Sequence, residues 1–587
     1  MNLRFVLALL LFVTVLSYSM GESETEVAEQ YVKWARQAIE EGRWPEALAA
    51  LERAADFSSV SSDISYLLAL ARSHEGKSRI AVLEALHQAF EAGRWVHYSA
   101  SQARLEQARQ FIAMRNYSMA LSALDLLPQS ADTAELRLLA LRGIAVDPGR
   151  GSADSVFALA QFRRSTLEAM DRYSRDPRPL RIFFEYARNR NPEPSHLEES
   201  DLNLMTLALR RLPVLVETDP ELAWMAAPFI RDIAQARRLV GSYRSGALSA
   251  EGNRLPSPGS IAVALNLGLL NDSDAVEELF NGQRVFDNRP GLYGGAGFAP
   301  DGETVLDKDL LVEIGDLLRS DEGRNLLAGR LLSFSGVIAS GRNGYIETCA
   351  FYRNGSLREF AYDTDHDGIA DFRVIFGASS NPLRAEITEN RIETQIVWEL
   401  YPSVLRAEMA GSRYSFRPAD FQYSPISFIE LGGSKNYSGL IYPVVIEQNL
   451  RISLRSLVSF CYNIQRPSVE FDGAVEQIDL INSMPLRAVE ILNGRQVSRT
   501  EFEKGFPVIQ YIDLDLDGRM ETVRLFRKPA DSSDPWYLDG RLDYRGLIVS
   551  SHSDWTGEGI YSTGEMYQED GSVVYSWDLY GNDGIRD

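Results

Sequence analysis

The chain has 587 residues, of which 45% are hydrophobic and 24% are charged, and its formal net charge is −22. This length exceeds what one hydrophobic core usually serves, so the sequence predicts roughly two to four domains. The negative charge argues against nucleic acid or an anionic membrane as the main partner, and it is compatible with cations, basic partners or a generally acidic surface.

The first 19 residues have the pattern of a secretory signal peptide. An apolar run over residues 5–16 is followed by Ser17 and Ser19, small residues that suit cleavage just before Met20. The run is short for a membrane span, and no other segment approaches that length. We therefore expect residues 1–19 to be removed and the mature chain, without a membrane span, to be exported to the periplasm or the medium. A retained N-terminal anchor is the alternative.

Residues 22–145 show helical periodicity in repeated units. Gly42, Trp44, Ala47 and Leu51 are spaced so that a glycine lies at a turn, an aromatic ring fills a gap and small residues let two helices approach. The spacing recurs, with arginine in place of the glycine, at Arg115, Tyr117, Ala120, Leu124 and Leu127. It resembles tetratricopeptide repeats, which implies stacked helix pairs with a concave surface for a protein or peptide partner. An unrelated array of α-hairpins is the alternative.

Two changes of pattern follow along the chain. Helical periodicity continues over residues 146–331, with loops predicted at residues 243–258 and 290–300, where Gly, Ser and Pro accumulate. From residue 332 to the C-terminus, alternating and β-branched runs predict strands. The expected fold is α+β multidomain, with an α-helical repeat array followed by a β-rich hairpin-repeat domain. The predicted segments are 1–19, 22–145, 146–331 and 332–587.

Two acidic loops, residues 363–371 and 513–521, both read D-x-D-x-D-G-x-x-[DE]. Carboxylates at positions one, three and five of a tight turn converge on one point, the glycine permits the turn, and the acid at position nine closes a cage of oxygens. Carboxylates held so close repel one another unless a cation lies between them. The closing acid follows the glycine by three residues and strand-like runs flank both loops, so the pattern is not that of a helix-loop-helix EF-hand.

This pattern resembles the calcium loops of FG-GAP-type repeats and thrombospondin type 3 repeats. The resemblance covers the two loops and implies calcium as the cofactor, bound by four side chains and one backbone carbonyl in each. The implied ligands of the first loop are Asp363, Asp365, Asp367, Asp371 and the carbonyl of Ile369. Those of the second loop are Asp513, Asp515, Asp517, Glu521 and the carbonyl of Arg519. A pair of acidic turns that hold no ion is the alternative.

Two degenerate relatives follow the second loop. Residues 554–562 keep oxygen-bearing side chains at positions one, three and five, but Ser562 stands at position nine, and the segment that begins at Asp578 has an insertion. Whether these loops bind an ion is left open, and their recurrence predicts a repeated hairpin unit. The two cysteines, Cys349 and Cys461, are either a disulfide or two buried hydrophobic residues.

No catalytic residue is predicted. The sequence contains no H-E-x-x-H motif, no G-x-S-x-G elbow and no G-x-G-x-x-G after a strand. His366, in the first loop, is expected to face solvent. The interpretation is an exported, non-enzymatic binding or scaffold protein whose β domain is stabilised by calcium. The alternative is a secreted or periplasmic carbohydrate-active enzyme with a helical accessory domain, because two suitably spaced carboxylates suffice for glycoside hydrolysis.

Overall fold

A computed structural model describes residues 26–585 except for 58–60, 147–151, 191–197, 250–255, 282–303, 342–345, 390–391, 432–439, 528–546, 557–558, 569–571 and 579–583. The predicted signal peptide and the loop predicted at residues 290–300 lie outside the described residues.

Helices make up the described chain before the main run of strands. They are α1 (26–40), α2 (Trp44–Phe57), α3 (Ser62–His74), α4 (Arg79–Ala92), α5 (Ala100–Ala113), α6 (Tyr117–Leu124), α7 (Ala131–Val146), α8 (Ser152–Arg172), α9 (Arg178–Arg190), α10 (Glu199–Leu215), α11 (Leu222–Ala226), α12 (Ile233–Ser249), α13 (Gly259–Asn266), α14 (Asp272–Asn281), α15 (Lys308–Leu317) and α16 (Asp321–Leu332), with α17 (Leu454–Phe460) among the strands.

Serine caps and small buried residues explain the helical pairs. Ser61, Ser78 and Ser99 each accept a backbone N–H at the start of α3, α4 and α5. Gly93 ends α4 with φ +64°, a left-handed conformation that glycine adopts without strain. Buried apolar residues of α3, α4 and α5, among them Val82, form one cluster. Successive helices pack in this way, which confirms the predicted helical repeat array.

The predicted loop at residues 243–258 is partly wrong, because α12 continues to Ser249. The buried side chain of Arg244 holds this end of the helix by ion-pairing with Glu278 and by donating a hydrogen bond to Ser260 Oγ at 3.0 Å. These tertiary contacts outweigh the modest cost of Gly and Ser in a helix.

The strands are β1 (Thr304–Asp307), β2 (Gly336–Ser340), β3 (Thr348–Arg353), β4 (Ser356–Tyr362), β5 (Phe372–Phe376), β6 (Pro382–Glu389), β7 (Ile392–Leu400), β8 (Ser403–Met409), β9 (Ser412–Ser415), β10 (Ile426–Leu431), β11 (Leu440–Val445), β12 (Asn463–Pro467), β13 (Val475–Ile481), β14 (Met484–Leu492), β15 (Arg495–Glu503), β16 (Phe506–Ile512), β17 (Thr522–Phe526), β18 (Ile548–Ser553), β19 (Thr563–Tyr567), β20 (Val573–Asp578) and β21 (Gly584–Ile585).

Most strands form antiparallel hairpins. β5 to β9 pair in chain order, β12 pairs with β9, and each strand from β12 to β21 pairs with the next. Several tight turns place two successive residues at positive φ, as Asn493 and Gly494 do at +51° and +80°. Such turns match the twist of the strands that they join. The predicted β-rich hairpin-repeat domain is therefore confirmed.

The chain divides into two compact units. The first comprises residues 1–356, 360–370 and 430–441, and the second comprises residues 357–359, 371–429 and 442–587. The helical array and β1 to β3 belong to the first unit, and the strands from β12 onwards belong to the second. The segment boundaries predicted from the sequence stay a prediction.

Candidate metal centre

The second acidic loop connects β16 to β17. Ile512 and Thr522 are register partners at the ends of these strands, so the chain must reverse within the intervening nine residues. The Asp513 N–H donates to the Val497 carbonyl on β15 at 2.8 Å, which fixes the start of the loop to the sheet. The paired strands thus bring the first and ninth positions of the loop together.

Side-chain acceptors organise the backbone of this loop. Asp513 Oδ2 accepts from the Gly518 N–H at 2.9 Å, and Glu521 Oε1 accepts from the Leu514 N–H at 2.5 Å. Asp517 Oδ1 accepts from the Arg519 N–H at 2.7 Å. Each of these carboxylates keeps a second oxygen for another partner.

The four predicted carboxylates converge. Asp513, Asp515, Asp517 and Glu521 each offer one oxygen, and these oxygens lie within 4.8 Å of one another. Asp513 is 0% exposed and Glu521 is 9% exposed, and among the described residues Asp513 Oδ1 and Glu521 Oε2 find no hydrogen-bond partner. Buried carboxylate oxygens without donors are costly, and a hard cation would satisfy them.

Arg519 has a peripheral place in the second loop. Its side chain points to the carboxylate of Asp517, with Nε 4.0 Å from Oδ2. That ion pair involves only the side chain, so the backbone carbonyl of Arg519, which is the predicted ligand, takes no part in it.

The first loop repeats the same hydrogen bonds. Asp363 Oδ2 accepts from the Gly368 N–H at 2.8 Å, and Asp367 Oδ1 accepts from the Ile369 N–H at 2.8 Å. Asp363, Asp365 and the half-buried Asp371 offer oxygens within 4.8 Å of one another, a group that leaves out Asp367. Ile369, whose carbonyl is a predicted ligand, is 51% exposed.

Two residues of the first loop differ from the sequence-based expectation. His366 is 6% exposed, so the prediction that it faces solvent is wrong. Its φ of +62° matches that of Leu516 in the second loop, which is exposed, so the burial of His366 comes from its surroundings and not from the turn itself. Asp367 is also buried, and its carboxylate accepts from Ser78 Oγ at 2.9 Å. Neither the burial of His366 nor the bond between Asp367 and Ser78 could be predicted from the sequence.

A third loop repeats two of these hydrogen bonds with two carboxylates fewer in its sequence. Asp554 Oδ2 accepts from the Gly559 N–H at 2.7 Å, as in the two acidic loops. The hydroxyl of the buried Ser562 accepts from the Trp555 N–H at 3.1 Å, so it takes the place that Glu521 Oε1 has in the second loop. The Asp554 N–H donates to the Glu521 carbonyl at 2.9 Å, so these loops are neighbours. Most of the degenerate loop after Asp578 lies outside the described residues.

A row of buried polar residues crosses β12 to β15 and was not predicted. Glu476 and Glu490 are register partners, 3% and 5% exposed. Arg466 Nε donates to Glu476 at 2.5 Å, and Ser468 Oγ donates to Glu490 at 2.6 Å. Burial raises the pKa of Glu490 above its usual range. These facing carboxylates are closed from solvent, so they do not line an open cleft of the kind that a glycosidase needs.

Both cysteines are buried as free thiols, which agrees with the second of the two interpretations. Burial raises the pKa of Cys461 to about 12, and it also raises the pKa of Cys349. Such thiols are protonated near neutral pH and unreactive.

Comparison with known proteins gave few relatives. No family model matches the chain. An uncharacterized protein of Treponema pallidum (strain Nichols) is 22% identical across an alignment that covers 92% of this chain and 76% of that protein.

Solved structures were also compared with the chain. A tetratricopeptide repeat protein from Parabacteroides merdae ATCC 43184 is 12% identical with a TM-score of 0.31, covering 43% of this chain and 91% of that one. PilF of Pseudomonas aeruginosa is 11% identical with a TM-score of 0.27, covering 38% and 92%. MamA of Desulfovibrio magneticus RS-1 is 14% identical with a TM-score of 0.26, covering 33% and 97%. The evidence for the helical repeat architecture is the packing of successive helices within this chain.

None of the described helices is both long enough and apolar enough to span a membrane.

Proposed function

We propose that this protein is an exported, non-catalytic scaffold that binds calcium in its second acidic loop and a protein or peptide partner on its helical array. The calcium assignment is carried by one observation, the two buried carboxylate oxygens of Asp513 and Glu521 that lack a partner among the described residues. A cation at the meeting point of the four carboxylates would neutralise their repulsion and complete their coordination.

Calcium suits this loop better than magnesium. The donors are carboxylate oxygens on a short turn, with Asp515 and Asp517 exposed and free to adjust. Calcium accepts six to eight oxygens in flexible geometry, whereas magnesium requires a compact octahedron and keeps several waters. The ion would fix the turn between β16 and β17 and so stabilise this part of the sheet.

Calorimetric titration of the mature protein tests the calcium assignment. Asp515→Asn should weaken the binding event by about tenfold or more, because it removes one charged ligand of the second loop. Asp365→Asn, the matched change in the first loop, should leave that event unchanged. Equal affinity for calcium in Asp515→Asn and the wild type, or no heat of binding in the wild type, would contradict the assignment.

The partner surface that we propose lies around the end of α8. A small cavity of about 90 Å³ between α6, α7 and α8 is lined in part by Leu127, Arg137 and Arg172. It adjoins a shallow cleft of about 670 Å³ that includes Arg172, Tyr173 and Arg175. Arg172 and Arg175 are exposed, and the structure gives them no ion pair with the described residues. On a chain with a net charge of −22, this basic cleft favours an acidic peptide segment.

Charge reversal tests this surface. Fluorescence anisotropy with an acidic peptide library should give hits whose affinity falls about tenfold or more in Arg172→Glu/Arg175→Glu. Arg53→Glu/Arg94→Glu, which reverses two exposed arginines elsewhere on the array, should retain them. Equal losses in both variants would mean that the cleft is not the binding surface.

A further inference from the structure

The N-terminus of α4 is bonded to the first acidic loop through Asp367. Ser78, the N-cap of α4, donates its hydroxyl to Asp367 Oδ2 at 2.9 Å and accepts from the Ile80 N–H at 3.2 Å. The Arg79 N–H donates to the Asp367 carbonyl at 2.9 Å. The carbonyl of Asp367 thus accepts one of the backbone donors that the first turn of a helix leaves unpaired. Its carboxylate, bonded to the N-cap hydroxyl, interacts favourably with the helix dipole.

A second contact joins the helical array to the same loop. Arg115, in the turn between α5 and α6, forms an ion pair with Glu347, and the side chains are 30% and 13% exposed. The Glu347 carbonyl accepts from the Asp363 N–H at 2.9 Å. Arg115 has φ +54°, an unfavourable conformation for a residue with a side chain. Both the start and the middle of the loop are therefore tied to helical turns.

Among the described residues, no helix bonds to the fifth position of the second loop. Asp517 is exposed there and its oxygen lies within the group of four carboxylates. Asp367 is 8% exposed and its oxygen is outside the corresponding group of the first loop. The two loops share a backbone frame, so this difference arises from α4 and not from the turn.

We propose that the N-terminus of α4 takes over Asp367 from the ion cage, so that the first loop is a docking point for the helical array while the second is the calcium site. The inference deepens the proposed function, because it assigns different roles to two loops with one sequence pattern. Asp367 is then a helix-capping residue, whereas Asp517 is a calcium ligand. Removing the fifth carboxylate should loosen α4 in the first case and weaken calcium binding in the second.

Matched variants of the mature protein separate the two roles. Asp367→Ala and Asp517→Ala are compared by calorimetric calcium titration and by hydrogen exchange of the amides of α4, recorded with chelator and with about 5 mM calcium. We expect Asp367→Ala to speed exchange at the first turn of α4 about tenfold and to leave the main calcium affinity within twofold. We expect Asp517→Ala to weaken calcium binding about tenfold and to leave α4 as protected as in the wild type.

A second pair controls for simple loss of a helix cap. Ser78→Ala should speed hydrogen exchange at the amides of Asp367 and Gly368, because it removes the hydroxyl that donates to the Asp367 carboxylate. Ser61→Ala, which removes the cap of α3, should leave the loop unchanged.

Three results decide the proposal. Unchanged exchange of α4 in Asp367→Ala would overturn the docking contact, whether or not calcium binds. A loss of calcium affinity in Asp367→Ala equal to that in Asp517→Ala would overturn the division of roles. A wild-type chain that binds no calcium would overturn the calcium site itself, while the exchange data recorded with chelator would still decide the contact.

Discussion

At the scale of single residues, Gly518 shows why the second loop needs glycine at its sixth position. Its φ is +104°, and a Cβ built there would overlap the guanidinium of Arg495. Arg495 donates to the Leu516 carbonyl at 3.2 Å and braces the loop. The glycine therefore permits both the turn and the brace.

Gly518→Ala should lower the stability of the protein by about 1–3 kcal/mol and weaken calcium binding, because it adds backbone strain and displaces Arg495. Gly411→Ala is the control, since Gly411 has φ +77° but open space around its missing Cβ. Urea unfolding and calcium titration of both variants measure the difference. If calcium affinity falls equally in both, Arg495 has no part in forming the site.

Glu490 makes stability depend on pH. Burial raises its pKa, and the neighbouring Glu476 and Glu470 act in the same direction, while hydrogen bonds from Ser468 and Ser498 oppose them. Because the folded-state pKa is raised, the contribution of Glu490 to stability is full below the ordinary glutamate pKa of about 4.3 and is lost as pH rises through the raised value.

Glu490→Gln, which stays neutral, should reduce the loss of stability between about pH 4 and pH 8. Urea unfolding of the wild type and the variant across this range measures the change. Glu503→Gln, an exposed residue of β15, serves as the control. A Glu490→Gln curve parallel to that of the wild type would show that Glu490 does not titrate in this way.

The residues that sequence could predict are those whose pattern is local. D-x-D-x-D-G-x-x-[DE] placed four acids of the second loop together, because nine consecutive residues determine a tight turn. It could not predict that Asp367 caps a helix, since Ser78 is 289 residues away in sequence. The buried Glu476 and Glu490 gave no signal either, because alternating charged residues on a strand usually indicate an exposed face.

At the scale of elements, the turn between α5 and α6 shows how tertiary contacts override local preference. Arg115 stands where the repeat pattern expects glycine, and its positive φ costs roughly 1 kcal/mol. The ion pair with Glu347 explains why arginine is present despite this cost.

A double-mutant cycle tests this explanation. Arg115→Gly should destabilise the wild type by about 1–2 kcal/mol, because the lost ion pair outweighs the relieved strain. In the Glu347→Gln background, Arg115 has already lost its ion pair but keeps its backbone strain. Arg115→Gly should therefore be neutral or stabilising there, because it only relieves that strain. Equal effects of Arg115→Gly in both backgrounds would show that the pair does not account for the arginine.

Elements with strong periodicity were predictable, and their ends were predictable only where a local pattern determines them. β5 and β17 begin directly after the two acidic loops, as expected from the strand-like runs that flank those loops in the sequence. α12 extends beyond its expected end, because the ion pair of Arg244 joins residues distant in sequence.

At the scale of the whole molecule, export is the prediction that determines where calcium would be met. Extracellular calcium sites often have a Kd of about 10⁻⁴ to 10⁻³ M, concentrations that an exported protein can encounter. N-terminal sequencing of the protein from its native host should begin near Met20. A cytoplasmic protein that retains Met1 would contradict the export prediction and remove the natural supply of the ion.

We expect calcium in the second loop to stabilise the folded chain. An ion that binds only the folded state contributes RT ln(1 + [L]/Kd), about 2.7 kcal/mol at one hundred times Kd. Thermal unfolding with chelator and with increasing calcium is the most direct measurement, with magnesium and Asp515→Asn as controls. We expect the midpoint to rise with calcium in the wild type, to rise much less with magnesium and to stay nearly constant in Asp515→Asn. A wild-type midpoint that is the same in chelator and in saturating calcium would contradict the claim.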